Sequence, residues 1–330
     1  EDQGEWIHEA DIIVDDPAFR VRARFVDHGI PVLAFALEEK AHVNVWKNRL
    51  GERGLATGVL PTVEETNPGS LLLARVISLG KHRDLEDSIG RKMTLFPGDV
   101  FVGALGHRYA TDQFEGVARC SGPTGHIVGI GGVCGEVLSS NNQMLEPTVV
   151  EWLGRLADRS GNPLHLRQFQ IGADAPPAAS RARVILSLGA SMNSGKTTTA
   201  SQMIRSLTAA GHRVAAAKLT GTACLKDPNL LYDAGALKVL DFTDCGWPST
   251  AGCSLEDLLG IASRIRTALA VCNPDYVIYE IADGIVQRET AMMLADAGFR
   301  AGIDGVTFAG TDALACETGV RRLRELGYKV

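Results

Sequence analysis

Beyond residue 183 the chain alternates short apolar runs with longer stretches whose apolar positions recur every three to four residues. The first run, 184–188, reads as a buried strand. In 195–210, Ala200, Met203, Ile204 and Leu207 share one helical face, and Gly211 follows as a C-terminal stop. Further strands are predicted at 213–219, 237–242, 275–281 and 305–309. Helices are predicted at 255–271 with Ser254 as N-cap, around 289–297, and from 313 to 326. Alternation at this spacing predicts a mainly parallel sheet with helices on both faces, an α/β domain over 183–330.

The pattern before residue 171 is choppier. Strands are expected at 10–14 and 30–36, in a small α/β segment over 1–69. From 70 to 170 short strands dominate, at 71–78, 92–95, 99–105, 126–130 and 133–138. Glycines punctuate them, which predicts a β-rich, barrel-like domain with tight corners. Residues 147–157 read as a helix closing that domain. Pro176 and Pro177 stand among small residues in 171–182, a linker.

Composition narrows the function classes. A length of 330 residues suits about two domains, and 45% hydrophobic residues exclude wholesale disorder. A net charge of −6 argues against a general nucleic-acid or membrane-surface binder. No apolar run approaches the roughly 18 residues of a membrane span, and the acidic opening is unlike a signal peptide. Seven cysteines without a CxxC pair fit a reducing cytoplasm. The chain opens without Met and stops at Tyr328-Lys329-Val330, so the natural protein is expected to continue.

The strongest chemical signal is Ala190-Ser191-Met192-Asn193-Ser194-Gly195-Lys196-Thr197, followed by Thr198. It is G-x-x-x-x-G-K-[ST] with Ala in the first position, set between a predicted strand and a predicted helix. Consecutive backbone N–H groups there would cradle phosphate, aided by the helix N-terminus. Lys196 would reach the β- and γ-phosphates, and Thr197 would ligate Mg²⁺. The apolar strand 275–280 ends on Glu280, a carboxylate placed for the same metal at the strand's C-terminal edge. Asp283 lies just beyond, as a metal or substrate contact or as a turn-shaping residue. After the strand 213–219, Lys218 and Thr220 are candidate substrate or phosphate contacts. Asp227 and Asp233 are candidate second metal ligands or bases. Asp241 and Asp244 read either as a continuation of this acidic cluster or as solvated caps.

The phosphate loop, Lys218-Leu219-Thr220-Gly221-Thr222 and Tyr279-Glu280-Ile281-Ala282-Asp283-Gly284 together resemble dethiobiotin synthetase and its relatives among the SIMIBI-type P-loop NTPases. Tyr232-Asp233-Ala234-Gly235-Ala236 is similar to the P-loop accessory proteins of molybdopterin guanine dinucleotide synthesis. The resemblance covers roughly 183–330. It implies ATP, with GTP as the alternative, and Mg²⁺ held by Thr197 and Glu280. It also implies carboxylate activation by phosphoryl transfer, and a homodimer. The residues themselves read as a kinase- or ligase-like site acting on a small carboxylate or hydroxyl compound, with Lys196, Lys218 and Asp283 catalytic. Ala282-Asp283 departs from the family's small pair, so specificity for a biotin precursor is not implied. The rival reading is a nucleotide-driven accessory NTPase whose β-rich domain binds a protein partner. Residues 308–312 are the candidate base contact.

Three features of the first half carry weaker signals. Gly129-Ile130-Gly131-Gly132-Val133-Cys134-Gly135 looks like a dinucleotide fingerprint but lacks a long helix behind it; the glycines are expected at barrel corners or close backbone approaches. The loop 106–116, dense in donors and acceptors around Arg108 and Tyr109, reads as a small-substrate loop or as a hydrogen-bonded connection. His107, Cys120, His126 and Cys134 form a conceivable metal set without tight spacing. The mixed-charge run 81–87 is expected to be a solvated loop.

Overall fold

The computed structural model describes residues 66–158, 160–172 and 182–330, together with the backbone of four earlier strands. The first three, β1 (Ile12–Asp15), β2 (Phe19–Asp27) and β3 (Pro31–Glu39), form an antiparallel meander. Only strands are described in the segment read as a small α/β piece, and β2 was not foreseen. The linker residues 173–181 lie outside the described residues.

The β-rich unit contains β4 (Gly58–Leu60), β5 (Leu71–Ser78), β6 (Asp84–Glu86), β7 (Lys92–Thr94) and β8 (Val100–Leu105). It continues with β9 (Arg108–Tyr109), β10 (Phe114–Val117), β11 (Thr124–Gly129), β12 (Val133–Ser140) and β13 (Thr148–Ala157). Pairing runs β11-β13-β5-β8-β12, and β12 pairs back onto β11, so these strands close a ring. Every pairing in the ring is antiparallel except β8 with β12. Closure removes the edges that an open sheet would leave unpaired. Leu72, Val76, Phe101, Leu105, Ile127 and Val150 fill its interior.

Two expectations fail in this unit. Residues 148–157 are the ten-residue strand β13, not a helix. Its odd and even positions alternate between half-buried and buried, a period of two, and Thr148, Val149 and Val150 are β-branched formers. The run 81–87 is not a solvated loop either: His82, Leu85 and Glu86 are buried.

Beyond the linker come β14 (Arg183–Gly189), α1 (Lys196–Ala209), β15 (Val214–Lys218), α2 (Lys226–Asp233) and β16 (Val239–Asp241). They are followed by α3 (Leu255–Ala270), β17 (Tyr276–Glu280), α4 (Arg288–Ala295), α5 (Ala297–Ala301), β18 (Gly305–Ala309) and α6 (Ala313–Glu325). The five strands pair in the order β16-β15-β17-β14-β18, all parallel. Alternate residues of β15 serve opposite cores. Val214 and Ala216 pack with Ile204 of α1, while Ala215 and Ala217 pack with Ile265 of α3. Ser254 caps α3 through a capping box with Asp257. Helix α2, read as loop from the sequence, is eight residues long with Pro228 in its first turn, too short for a periodic signal.

The barrel packs directly on the α/β domain. Val128 and Val133 form a small apolar cluster with Ala223, and a side chain at Gly131 would collide with the Ala223 carbonyl. Both Glu86 oxygens cap the entry to α2, one accepting from the Leu225 N–H at 2.7 Å and the other from the Cys224 thiol. On the far side the Ile171 N–H donates to the Asp244 carbonyl at 2.8 Å. The fingerprint-like glycines are thus a close approach between domains.

His82 gives the barrel an acid sensitivity. Its Nδ1 lies 3.1 Å from the Ile127 carbonyl. Burial, and then the charge of Arg108, push its pKa down to about 4. The unfolded chain therefore binds more protons between about pH 6.5 and 4, and barrel stability falls as pH drops through that window. The expected loss is on the order of 3 kcal/mol. Urea denaturation followed by Trp152 fluorescence should show it, and His82→Asn should flatten that limb; an unchanged slope in the variant would place the sensitivity elsewhere.

Candidate functional site

All five parallel strands deliver their C-terminal ends to one edge. Gly189 leads there into the loop 190–195, which turns into α1. The loop needs left-handed backbone at Asn193 (φ 59°) and Gly195 (φ 103°). A side chain at Gly189 would strike Ser194 and Lys196, so the loop closes tightly over the strand. Among the described residues, no backbone N–H from Ser191 to Thr198 donates to a protein acceptor. Five belong to the loop and three to the first helical turn, where donors have no intrahelical partner. Such a row of free donors at a helix N-terminus suits anionic oxygens.

Lys196 and Thr197 sit where the sequence placed them relative to this row. Lys196 is buried and folds back, its Nζ donating to the Ser191 carbonyl at 2.7 Å. Burial lowers its pKa, against the pull of Glu280 and Asp283. The Thr197 hydroxyl donates to Glu280 Oε1 at 2.9 Å. Glu280 is almost fully buried, and its Oε2 has no partner among the described residues. Burial raises its pKa, opposed first by Lys218. Ser194 Oγ is a second buried polar atom without a partner. Orphaned oxygens of this kind cost free energy unless something binds them. A hydroxyl oxygen and a carboxylate held together are a hard-oxygen donor pair of the sort Mg²⁺ takes, so these residues fit the ion expected from the sequence.

Lys218 stands opposite Glu280 in the β15–β17 register and is buried. It forms an ion pair with Asp227, which the first turn of α2 carries across the cleft. Burial disfavours the Lys218 charge, yet Glu280 and Asp227 outweigh it and raise the pKa. Asp227 thus engages Lys218. Asp233 is exposed at the far end of α2 and is not brought to the group. Among the described residues no cluster of three or more His, Cys, Asp or Glu is arranged to hold a metal, and that covers His107, Cys120, His126 and Cys134 as well.

Asp283 occupies a left-handed turn (φ 56°) between β17 and α4. The turn is tied to its surroundings: the Ala282 N–H donates to Thr220 Oγ1 at 2.8 Å and the Ile285 N–H to the Gly189 carbonyl at 3.1 Å. Burial raises the Asp283 pKa, offset by Lys196, Lys218 and Arg108 in that order. Asp283 therefore both shapes the turn and faces the cations. Asp241 and Asp244 instead stabilise their own turn, with Asp241 Oδ1 accepting from the Thr243 N–H at 2.7 Å. Burial, and then Asp244, lift the Asp241 pKa to about 6. At the end of β18, Asp312 is the N-cap of α6, accepting from the Ala315 N–H at 2.8 Å.

Between the phosphate loop and the barrel lies a cleft of about 260 Å³. Asn193, Lys218, Thr220 and Asp283 line it from one side, Arg108 and Tyr109 from the other. The loop 106–116 thus reaches the cleft. Its position relative to the phosphate loop carries no sequence signal, because it follows from the docking of two domains.

Removing the charge of Lys218 should leave two carboxylates without their cation. Lys218→Met is expected to lower the stability of the α/β domain by on the order of 3 kcal/mol. Adding Asp227→Asn should recover part of that loss, because residues in contact are not additive. Denaturant unfolding of the two variants and the double variant measures it; strict additivity would mean the pair is uncoupled.

No family model and no curated protein matches this chain. Solved structures are similar over part of it, two of them as follows. One is the kinase domain of the Escherichia coli tyrosine kinase ETK, 16% identical over 46% of this chain and 66% of that one, with a TM-score of 0.32. The other is the signal recognition particle 54 kDa protein of Aeropyrum pernix K1 in complex with GDP, 20% identical over 50% and 44%, with a TM-score of 0.29. The chain spans less than two thirds of the length of either. At these scores the likeness carries no argument; the P-loop architecture of residues 183–330 stands on the strand, loop, helix and parallel sheet of this chain.

Proposed function

We propose that the chain is a Mg²⁺-dependent P-loop NTPase that transfers a phosphoryl group from ATP or GTP to a small carboxylate or hydroxyl acceptor. The observation that carries the reading is the Thr197–Glu280 pair, with Glu280 Oε2 and Ser194 Oγ buried and unpartnered beneath a row of free N–H groups. The resemblance of 218–222 and 279–284 to dethiobiotin synthetase supports the acceptor class.

In this reading the N–H groups of 191–198 bind the phosphate chain, and Lys196 swings from the Ser191 carbonyl onto the β- and γ-phosphates. Thr197 and Glu280 would hold Mg²⁺, which supplies charge neutralisation to the phosphates when bound. Lys218 adds a fixed positive charge where the transferring group becomes anionic. Phosphoryl transfer needs such positioning and charge more than covalent help. An acceptor oxygen attacks the γ-phosphorus, and the bond from that phosphorus to the β,γ-bridging oxygen breaks, releasing the nucleoside diphosphate. A hydroxyl acceptor loses its proton to Asp283; a carboxylate acceptor has none to lose. The raised pKa of Asp283 suits it to hold that proton.

A second reading, a nucleotide-driven accessory protein, draws on one observation: the barrel rests on residues 223–225, in the loop that follows Lys218. A γ-phosphate that moved this loop would move the barrel. The two readings part on kinetics. An enzyme turns over only with its acceptor, whereas a switch hydrolyses slowly and changes its association with a partner.

Calorimetry with ATP and GTP in Mg²⁺ tests the shared basis. Wild type should bind one nucleotide, Lys196→Ala should lose at least about tenfold in affinity, and Glu280→Gln should lose the Mg²⁺ dependence while keeping the fold. Equal affinity with and without Lys196 would sink the phosphate-loop assignment.

A further inference from the structure

Arg108 is the barrel's contribution to the cleft, and its surroundings are unusual for a half-buried cation. Its guanidinium donates to the Val128 carbonyl and, at 2.8 Å, to Gln113 Oε1. Both anchors are neutral. Among the described residues no carboxylate lies in ion-pair range of Arg108, although seven other arginines or lysines do find one. Its Nε is buried without a partner. Burial lowers the Arg108 pKa, and Asp112 and Asp283, acting from beyond ion-pair range, offset only part of that cost. Two anchors hold the planar fork in place; of the three remaining N–H donors the Nε–H is buried, which leaves one on each terminal nitrogen.

Arg108 and Tyr109 line the cleft from the barrel side, while Asn193, Lys218 and Asp283 line it from the α/β side. Lys218 and Arg108 both act on Asp283. Arg108 thus reaches the cleft from the wall opposite the phosphate loop. Lys226 lines the same cleft, and Asp227 is already paired with Lys218. Asp283 is left as the one lining carboxylate without an ion pair among the described residues, facing an excess of cations. On the barrel side Asp112 acts on Arg108 only from beyond ion-pair range, so among the described residues no carboxylate is in contact with the guanidinium.

We propose that the acceptor is a small bifunctional carboxylic acid, whose non-reacting carboxylate is bound by Arg108 while its reacting oxygen lies at Asp283. The proposal rests on the phosphoryl-transfer reading and deepens it: the barrel is half of the acceptor site, and Arg108 determines specificity. A carboxylate presents two oxygens to the free edge of a fixed guanidinium, the arrangement in which Arg discriminates best.

The test titrates the full chain by calorimetry with malonate, succinate and inorganic phosphate, each with and without ADP or GDP and Mg²⁺. Wild type should bind a dicarboxylate, Arg108→Gln should weaken that binding at least about tenfold, and Arg108→Lys should restore part of it. Nucleotide affinity should stay the same in both Arg108 variants, and Lys196→Ala should still bind the dicarboxylate without nucleotide. If Arg108→Gln melts early, Arg108→Lys carries the comparison. Dicarboxylate binding absent from wild type, or unchanged in the variants, overturns the proposal. Phosphate binding alone through Arg108 also overturns it, in favour of a phosphorylated acceptor. Lost nucleotide affinity in the Arg108 variants overturns it too, by assigning Arg108 to the nucleotide. Failure of wild type to bind any nucleotide, with Arg108-dependent dicarboxylate binding intact, sinks the NTPase reading and leaves the anion site standing.

Discussion

Lys218 and Glu280 face each other across two adjacent parallel strands, both removed from water. Neither charge could be buried there alone. A carboxylate in an apolar sheet end would take up a proton, and an ammonium would lose one. Together, and with Asp227 closing over Lys218, each lowers the cost of burying the other's charge where the strands end, although burial still raises the Glu280 pKa. The arrangement fixes Glu280 against Thr197 and so sets the first turn of α1 relative to the sheet. It also draws the first turn of α2 over the cleft, which positions the surface on which the barrel docks. One buried charge cluster thus ties the phosphate loop, the Thr197–Glu280 pair and the domain contact into a single piece.

The docking itself is a matter of backbone approach. Glycine at 131 lets a barrel corner touch the Ala223 carbonyl, and Gly106 and Gly129 come close to Pro248 and Thr222 in the same way. Large side chains there would hold the domains apart and open the cleft. Glu86 completes the contact by supplying its carboxylate to the first donors of α2, a charge-assisted cap provided from another domain. A cap of this kind links the order of α2, and through it the position of Asp227, to the presence of the barrel.

What the sequence revealed follows from how local each signal is. The strand-loop-helix of 183–210 was legible because its apolar periodicity, its glycines and its lysine are contiguous. Ser254 announced α3 for the same reason. Helix α2 was not legible, since eight residues with a proline give no stripe. Strand β13 was misread because Glu151, Leu153 and Arg155 alternate with residues whose burial depends on which barrel face they meet. Asp233 was grouped with Asp227 by proximity in the chain, yet the turns of α2 separate them. Arg108 shows the opposite failure, a residue whose loop looked chemical but whose neighbours across the cleft, from Met192 onward, lie more than eighty positions away. Glu289 had no signal at all, although it is buried and accepts from the Gly252 N–H at 2.7 Å to brace the cleft's rim.

The two halves differ in what they can offer a ligand. The loop 190–195 offers backbone donors, which any sequence with the right turn provides, and in the proposed reading these would bind phosphate without regard to what accepts it. Selection of an acceptor needs side chains with direction and shape, and the α/β side has already committed Lys196, Lys218 and Glu280 to one another. Asp283 is the exception: it lines the cleft from a left-handed turn whose backbone is tied to Thr220 and Gly189. A group that both faces the cations of the phosphate side and looks toward the barrel is placed at the boundary between generic and specific recognition. The barrel then has reason to be rigid. Arg108 lies on β9, which is joined through β10 to the closed ring, and its two-point anchor on Val128 and Gln113 holds it at the cleft more firmly than a free loop of the same composition would.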